Sequence, residues 1–209
     1  MIIQKKEFKW ASPLEPLDLK KITGIALHHM EHPTAGMDEI HRWHLDNGWK
    51  GFAYNYWIDF DGNVFECRGL NKAAGVTDYN SVLLSIGFQG DYNKSKMMSQ
   101  AQFISGCELI RYLRQLIQTI TVVDGHKRWI ATDCPGKYFP LEEMIRLANT
   151  MAKIKDYDDI APWAREAVLR VADAGIMIGD DKGSFNPKAL ITRQEVAVIV
   201  DRLMQKIIK

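Results

Sequence analysis

The sequence predicts an α/β domain followed by a small all-α module, and three observations predict it. Through the first 150 residues, apolar strand-like runs are interspersed with segments of helical periodicity. The charged stretch KIKDYDD at 153–159 then breaks that periodicity. Beyond it, two helical segments flank a glycine-punctuated loop, GIMIGDDKGSFNP. The expected organisation is a catalytic-sized domain over residues 1–152, a linker at 153–158 and a helix-loop-helix module over 159–209.

Each element has its own signal. Ile22, Ile25 and Leu27 lead into two histidines, which reads as a buried strand delivering His28 at its end, with His29 facing the opposite way. GMDEIHRWHLDNG carries helical spacing at Met37, Ile40, Trp43 and His44 and stops at Asn47-Gly48. Residues 54–60 alternate, and Asp61-Gly62 before Val64 and Phe65 marks a hairpin. Val82 to Phe88 is a further apolar strand. Ser99 and Gln102 have the form of a capping box ahead of Phe103, Cys107, Ile110 and Ile117. Thr121 to Asp124 predicts a short strand leading to Gly125-His126, and Pro140 opens a helix through about Met151. In the tail, Pro162 to Ala174 predicts a helix ended by Gly175, and Thr192 with Glu195 a second capping box ahead of Val196, Ile199, Val200 and Leu203. A unit of about fifty residues is small enough to need support from a partner or a repeat.

Charge is balanced in both parts, with 17 basic and 17 acidic residues up to Thr150 and 10 and 9 after it, which argues against a nucleic-acid partner. No apolar run is long enough to span a bilayer, and the N-terminus lacks the pattern of a signal peptide, so the expectation is a product made in the cytoplasm. Cys67, Cys107 and Cys134 form no disulfide framework. The first two read as buried thiols, whereas Cys134 sits in a loop between Asp133 and Pro135.

Two histidines and a cysteine, His28, His126 and Cys134, offer imidazole and thiolate donors that suit zinc, and three protein ligands leave one tetrahedral position open, as catalytic sites do. His126 and Cys134 lie eight residues apart across HKRWIATDC, while His28 comes from a distant strand. In a chain with six histidines such a pair is not rare, so the spacing alone does not single out a metal site. His41 and His44 read as packed or solvent-facing helix residues, His32 as loop, and Trp49 and Trp57 as core or rim aromatics. The DDKGSFN run lacks the ligand pattern of an EF-hand and reads as a turn.

The strand end ALHHM, the block WHLDNGWKGFAYNYWID with the DGNVFE hairpin, the strand IGFQGDY and the loop GHKRWIATDCPGKYF resemble, in that order over about residues 20–147, the type 2 zinc-dependent N-acetylmuramoyl-L-alanine amidases, which include phage lysozymes of amidase type and the peptidoglycan recognition proteins. The resemblance implies a mixed central β-sheet flanked by helices, and one zinc ion per chain held by His28, His126 and Cys134. It implies that Tyr54 lies over the metal and that Thr132 stands near the scissile carbonyl where members carry lysine or threonine. The bond would be the amide between N-acetylmuramic acid and the L-alanine of the stem peptide, cut by a zinc-activated water. Trp129, inside the His126–Cys134 loop, is the candidate for stacking on a sugar ring. No glutamate is assigned as general base; Glu31 lies outside the matching motif. The expected role is that of an endolysin acting on the cell wall after release, with a bacterial autolysin or a non-catalytic peptidoglycan-binding protein as alternatives.

From Tyr157 onward, the aspartate-rich entry, Trp163 in PWA, the GIMIGDDKGSFNP loop and ITRQE resemble an S-layer homology repeat. That resemblance implies binding of a secondary cell-wall polymer of Gram-positive walls, with Arg193 as anion contact and Trp163 and Gly179 in the same pocket. The family presents three tandem repeats and this chain one, so homo-oligomer formation through the single repeat is an expectation.

Overall fold

The computed structural model describes residues 1–208. In chain order the elements are β1 (Ile3–Lys5), β2 (Gly24–His29), α1 (Met37–Asp46), β3 (Tyr56–Ile58), β4 (Val64–Glu66), β5 (Leu83–Phe88), α2 (Gln100–Leu116), β6 (Val122–Gly125), α3 (Leu141–Lys153), α4 (Arg165–Asp173) and α5 (Arg193–Ile207). The chain divides into two compact units, Met1–Ile145 and Arg146–Lys209, and the division falls within α3.

The first unit is built on a six-stranded mixed sheet in the order β1-β4-β3-β5-β2-β6, in which only the β3–β4 hairpin is antiparallel. The expected α/β class and the mixed sheet with flanking helices are what the fold contains. Strands β2 and β5 are neighbouring interior strands, and all six residues of each are buried, as parallel strands covered on both faces require. β3 is buried along its whole length as well, so the alternation read across 54–60 does not mark a solvent face. β1 has no counterpart in the sequence reading: it is a three-residue edge strand, mostly exposed, and carries almost no apolar signal.

Two helix starts follow different rules. In α2 the Ser99 hydroxyl accepts from Gln102 N–H at 3.1 Å, but the Gln102 side chain does not return to the cap. It is buried instead, donating to Ile58 O and Gln89 O at 3.0 Å and accepting from the Tyr92 hydroxyl. In α5 both halves of the capping box form between Thr192 and Glu195. Within the second unit, the Asp156 carboxylate accepts from Phe185 N–H and Asn186 N–H, both at 2.7 Å, and Asp180 accepts from Lys182 and Ser184 N–H and from the Asn186 amide. Asp180 of the DDKGSFN run thus serves as a turn acceptor, and Asp156 from outside the run holds its far end. Tyr157, Ile160, Val168 and Leu169 are buried apolar side chains of this unit, together with Leu147, Ala148, Met151 and Ile154, while no residue of α5 is buried.

Candidate metal centre

Strand β2 carries His28 and His29 on opposite faces, and the two meet different environments. His29 Nδ1 accepts from Tyr92 N–H at 2.9 Å, and its Nε2 stands 3.4 Å from Glu31 Oε1. His28 turns towards His126, with ring centroids 4.4 Å apart, and towards Cys134, whose Sγ lies 3.7 Å from its Nδ1. β6 pairs with β2 in parallel, Leu27 opposite Gly125, so that the short helical turn at His126–Arg128 begins beside the end of β2. The loop then returns Cys134 to the same place, with Lys127 N–H donating to Cys134 O at 3.0 Å. One ligand atom from each of His28, His126 and Cys134 lies within 4.8 Å of the other two.

The donor set fits a metal ion. A tetrahedral zinc with ordinary bond lengths holds a nitrogen and a sulfur ligand about 3.6 Å apart, close to the His28–Cys134 distance. Burial first, and then the neighbouring rings of His126 and His29, push the His28 imidazole well below its usual pKa, and burial lowers His126 too. Both rings are therefore neutral at pH 7, the form that can ligate. Burial also pushes the Cys134 thiol up to about 12, opposed by a hydrogen bond from the His29 backbone. A cation is what would make a thiolate favourable in this place.

Tyr54 closes one side. Its ring is tilted over His28 at 5.1 Å and packs on Phe52 and Trp57. It fits because His28 pairs in register with Gly87, and a Cβ there would meet Tyr54 Cδ2 at 2.6 Å and Trp57 Cε3 at 2.7 Å. Burial raises the Tyr54 phenol, so it keeps its proton and remains a donor. Buried Arg68 fixes the approach of this segment, donating to Phe52 O at 2.6 Å, Lys72 O at 2.9 Å and Gly51 O at 3.3 Å. Asn55 adds bonds to Gly69 O, Asn71 O and Ser85 N–H, each at 2.7 Å.

Thr132 Oγ1 accepts from Cys134 N–H at 3.2 Å, which shapes the ligand loop and leaves the hydroxyl hydrogen free to be donated. Trp129 is half-buried and packs against the Ala26, Val76 and Leu83 cluster. Glu31 was not singled out in the sequence because it stands outside the motif. In the fold its backbone takes the left-handed conformation, φ 59°, and its charge acts on Tyr54, His126 and Cys134. The only sequence signal was its place three residues after His28.

His41 and His44 are packed, as their helical setting implied. His41 Nδ1 accepts from Phe52 N–H at 3.0 Å and its ring stacks on Phe8. In the second unit Trp163 is 88% exposed, Gly179 turns at φ 74°, and Arg193 lines a shallow groove with Ile191, Val196, Val200 and Met204. No helix among the described residues is long and apolar enough to cross a membrane.

Known proteins share these features. Residues 153–197 match the S-layer homology domain, and a stretch of 54 residues is 39% identical to the surface-layer 125 kDa protein of Lysinibacillus sphaericus, covering 26% of this chain and 5% of that protein. Peptidoglycan-recognition protein SC2 of Drosophila melanogaster is 32% identical over 152 residues, covering 65% of this chain and 80% of that protein. The structure is similar to that of the N-acetylmuramoyl-L-alanine amidase LysC from Clostridium intestinale, with a TM-score of 0.66 at 26% identity, covering 71% of this chain and 98% of that one. Residues 18–137 match the N-acetylmuramoyl-L-alanine amidase model. That match takes in more than half of the chain and includes the strand end, the hairpin and the loop that bring His28, Tyr54, His126 and Cys134 together; the chain belongs to the N-acetylmuramoyl-L-alanine amidase family.

Proposed function

We propose that this chain is a zinc-dependent peptidoglycan hydrolase that cuts the amide between N-acetylmuramic acid and the L-alanine of the stem peptide, acting as an endolysin. The observation that carries this reading is the clustering of three donors, buried His28 and Cys134 and half-buried His126, within 4.8 Å. Zinc held there supplies Lewis-acid polarisation of the scissile carbonyl and a nucleophile at neutral pH.

The chain's own residues supply the rest. The Tyr54 hydroxyl, kept protonated by burial, donates to the carbonyl oxygen as it gains charge. Thr132, anchored on Cys134 N–H, offers a second donor without a formal charge. The exposed carboxylate of Glu31, 3.4 Å from His29 Nε2, bears a charge felt at His126 and Cys134 and would be the group to take up a proton during hydrolysis. Trp129, fixed by its buried side, presents its remaining ring surface to sugar. The S-layer homology unit anchors the enzyme to an anionic wall polymer, with Arg193, which lines the groove along α5, as the charged contact and exposed Trp163 and the turn at Gly179 as further contacts. The four apolar residues Val196, Val200, Leu203 and Ile207 recur at helical spacing on α5, all exposed, and support assembly between copies through this unit.

Lysis of purified Gram-positive walls tests the reading. Turbidity should fall with the parent chain, and not after chelation or with Cys134→Ser. Lysis that survives both treatments would overturn it, and wall binding without lysis by zinc-loaded protein would favour a recognition protein instead.

A further inference from the structure

We propose that Ser85 is the positioning residue for His28: one bridging water accepts from His28 Nε2–H and donates to the Ser85 hydroxyl, and so fixes the imidazole as a metal ligand. The inference rests on the metal reading above and deepens it.

The sheet register places the two side chains together. Ala26 pairs with Ser85 and His28 with Gly87 along the parallel β2–β5 ladder. Side chains alternate across a strand, so Ser85 and His28 share one face of the sheet. Gly87, the residue opposite His28, sets no side chain between them. Because His28 Nδ1 faces Cys134 Sγ at 3.7 Å, Nε2 is the ring nitrogen directed away from the ligand cluster.

Both polar atoms are buried and unpartnered. His28 Nε2 has no hydrogen-bond partner, and neither has Ser85 Oγ. The residues are 2% and 1% exposed, so water at the surface does not satisfy them. Each such atom costs about 1–3 kcal/mol if left unpaired, and one water between them, accepting from the ring N–H and donating to the hydroxyl, satisfies both. They border the same point in space: a Cβ on Gly75 would lie 2.7 Å from Ser85 Oγ and 3.2 Å from His28 Nε2. Glycine at position 75 keeps that shared space open.

The backbone that carries the hydroxyl is also held in place. Ser85 N–H donates to Asn55 Oδ1 at 2.7 Å, and Ser85 O accepts from Asn55 N–H at 2.9 Å, which pins the serine backbone on both sides. An imidazole that ligates through Nδ1 carries its hydrogen on Nε2. An acceptor at that position fixes the tautomer and the ring plane and strengthens the donor nitrogen.

The test is zinc affinity by chelator competition at fixed pH, with the visible spectrum of the cobalt-substituted protein as a second readout. Ser85→Ala should weaken zinc binding about 10–100-fold and alter the cobalt bands, with the melting temperature of the metal-free protein unchanged. Ser85→Thr, which keeps the hydroxyl, should restore both. Gly75→Ala, which crowds the hydroxyl away, should weaken zinc in the parent and add little in the Ser85→Ala background. Parent-like affinity and spectrum in Ser85→Ala would overturn the inference while leaving the metal reading intact. Failure of the parent chain to bind zinc would overturn both.

Discussion

Zinc uptake by this chain should release one proton per ion, and the pH range over which it does so is set by the burial of Cys134. Without metal the thiol is pushed up to about 12, whereas His28 and His126 are both lowered from the usual histidine range. At pH 7.5 the ligand set therefore carries one proton, on sulfur, and zinc must displace it. Removing that proton at pH 7.5 costs about 6 kcal/mol, which the metal–sulfur bond has to exceed. Apparent zinc affinity should then rise about tenfold per pH unit from pH 7 to beyond pH 9. Calorimetric titration in buffers of different ionisation enthalpy counts the protons, and chelator competition gives the slope. A plateau in affinity near pH 8.5 would refute the reasoning, because an ordinary thiol would already have ionised there. A count near two at pH 7.5 would refute the neutral-histidine assignment.

Three other outcomes follow from particular contacts. Tyr54→Phe should keep zinc affinity and lower kcat by about 10²–10³-fold, read by amine release from walls; an unchanged kcat would remove the hydroxyl from the chemistry. His44, buried beside Trp49, has its pKa lowered by burial to about 4, so the unfolded chain binds the extra proton between pH 6.5 and 4. Its contribution to stability is present above pH 6.5 and is lost as pH falls towards 4, by at most about 3 kcal/mol; His44→Gln should flatten urea midpoints across that window. Thr192→Ala removes the cap that accepts from Glu195 N–H at 3.2 Å and should destabilise α5 by about 1 kcal/mol, seen as faster amide exchange in its first turn.

The parts of this fold that were legible in sequence are those governed by local chemistry. β2 could be read because its apolar run stops at two histidines, and the end of α1 because Asn47-Gly48 stops the helical period. The capping box of α5 was legible for the same reason. What escaped depends on distant partners. The strand order cannot be read from any one strand, since β2 lies between β5 and β6, each brought in from far along the chain. Gln102 resembles a cap residue, yet its amide finds Ile58 O and Gln89 O across the fold and stays in the core. Within the site, the ligand trio was approached through the motifs around each residue. Ser85 was passed over because a serine in an apolar strand looks unremarkable until its register against His28 is known. Glu31 lies outside the motif, and its effect on Tyr54, His126 and Cys134 arises only in the folded chain.

Cleavage of one particular amide bond is what distinguishes the proposed chemistry. It is tested most directly by mass spectrometry of the products released from a purified muropeptide by the zinc-loaded protein. The expected products are a free stem peptide with an N-terminal alanine amine and an intact glycan bearing the lactyl carboxylate, with neither formed by Cys134→Ser. Cleavage within the glycan, cleavage inside the stem peptide, or the same products from Cys134→Ser would contradict it.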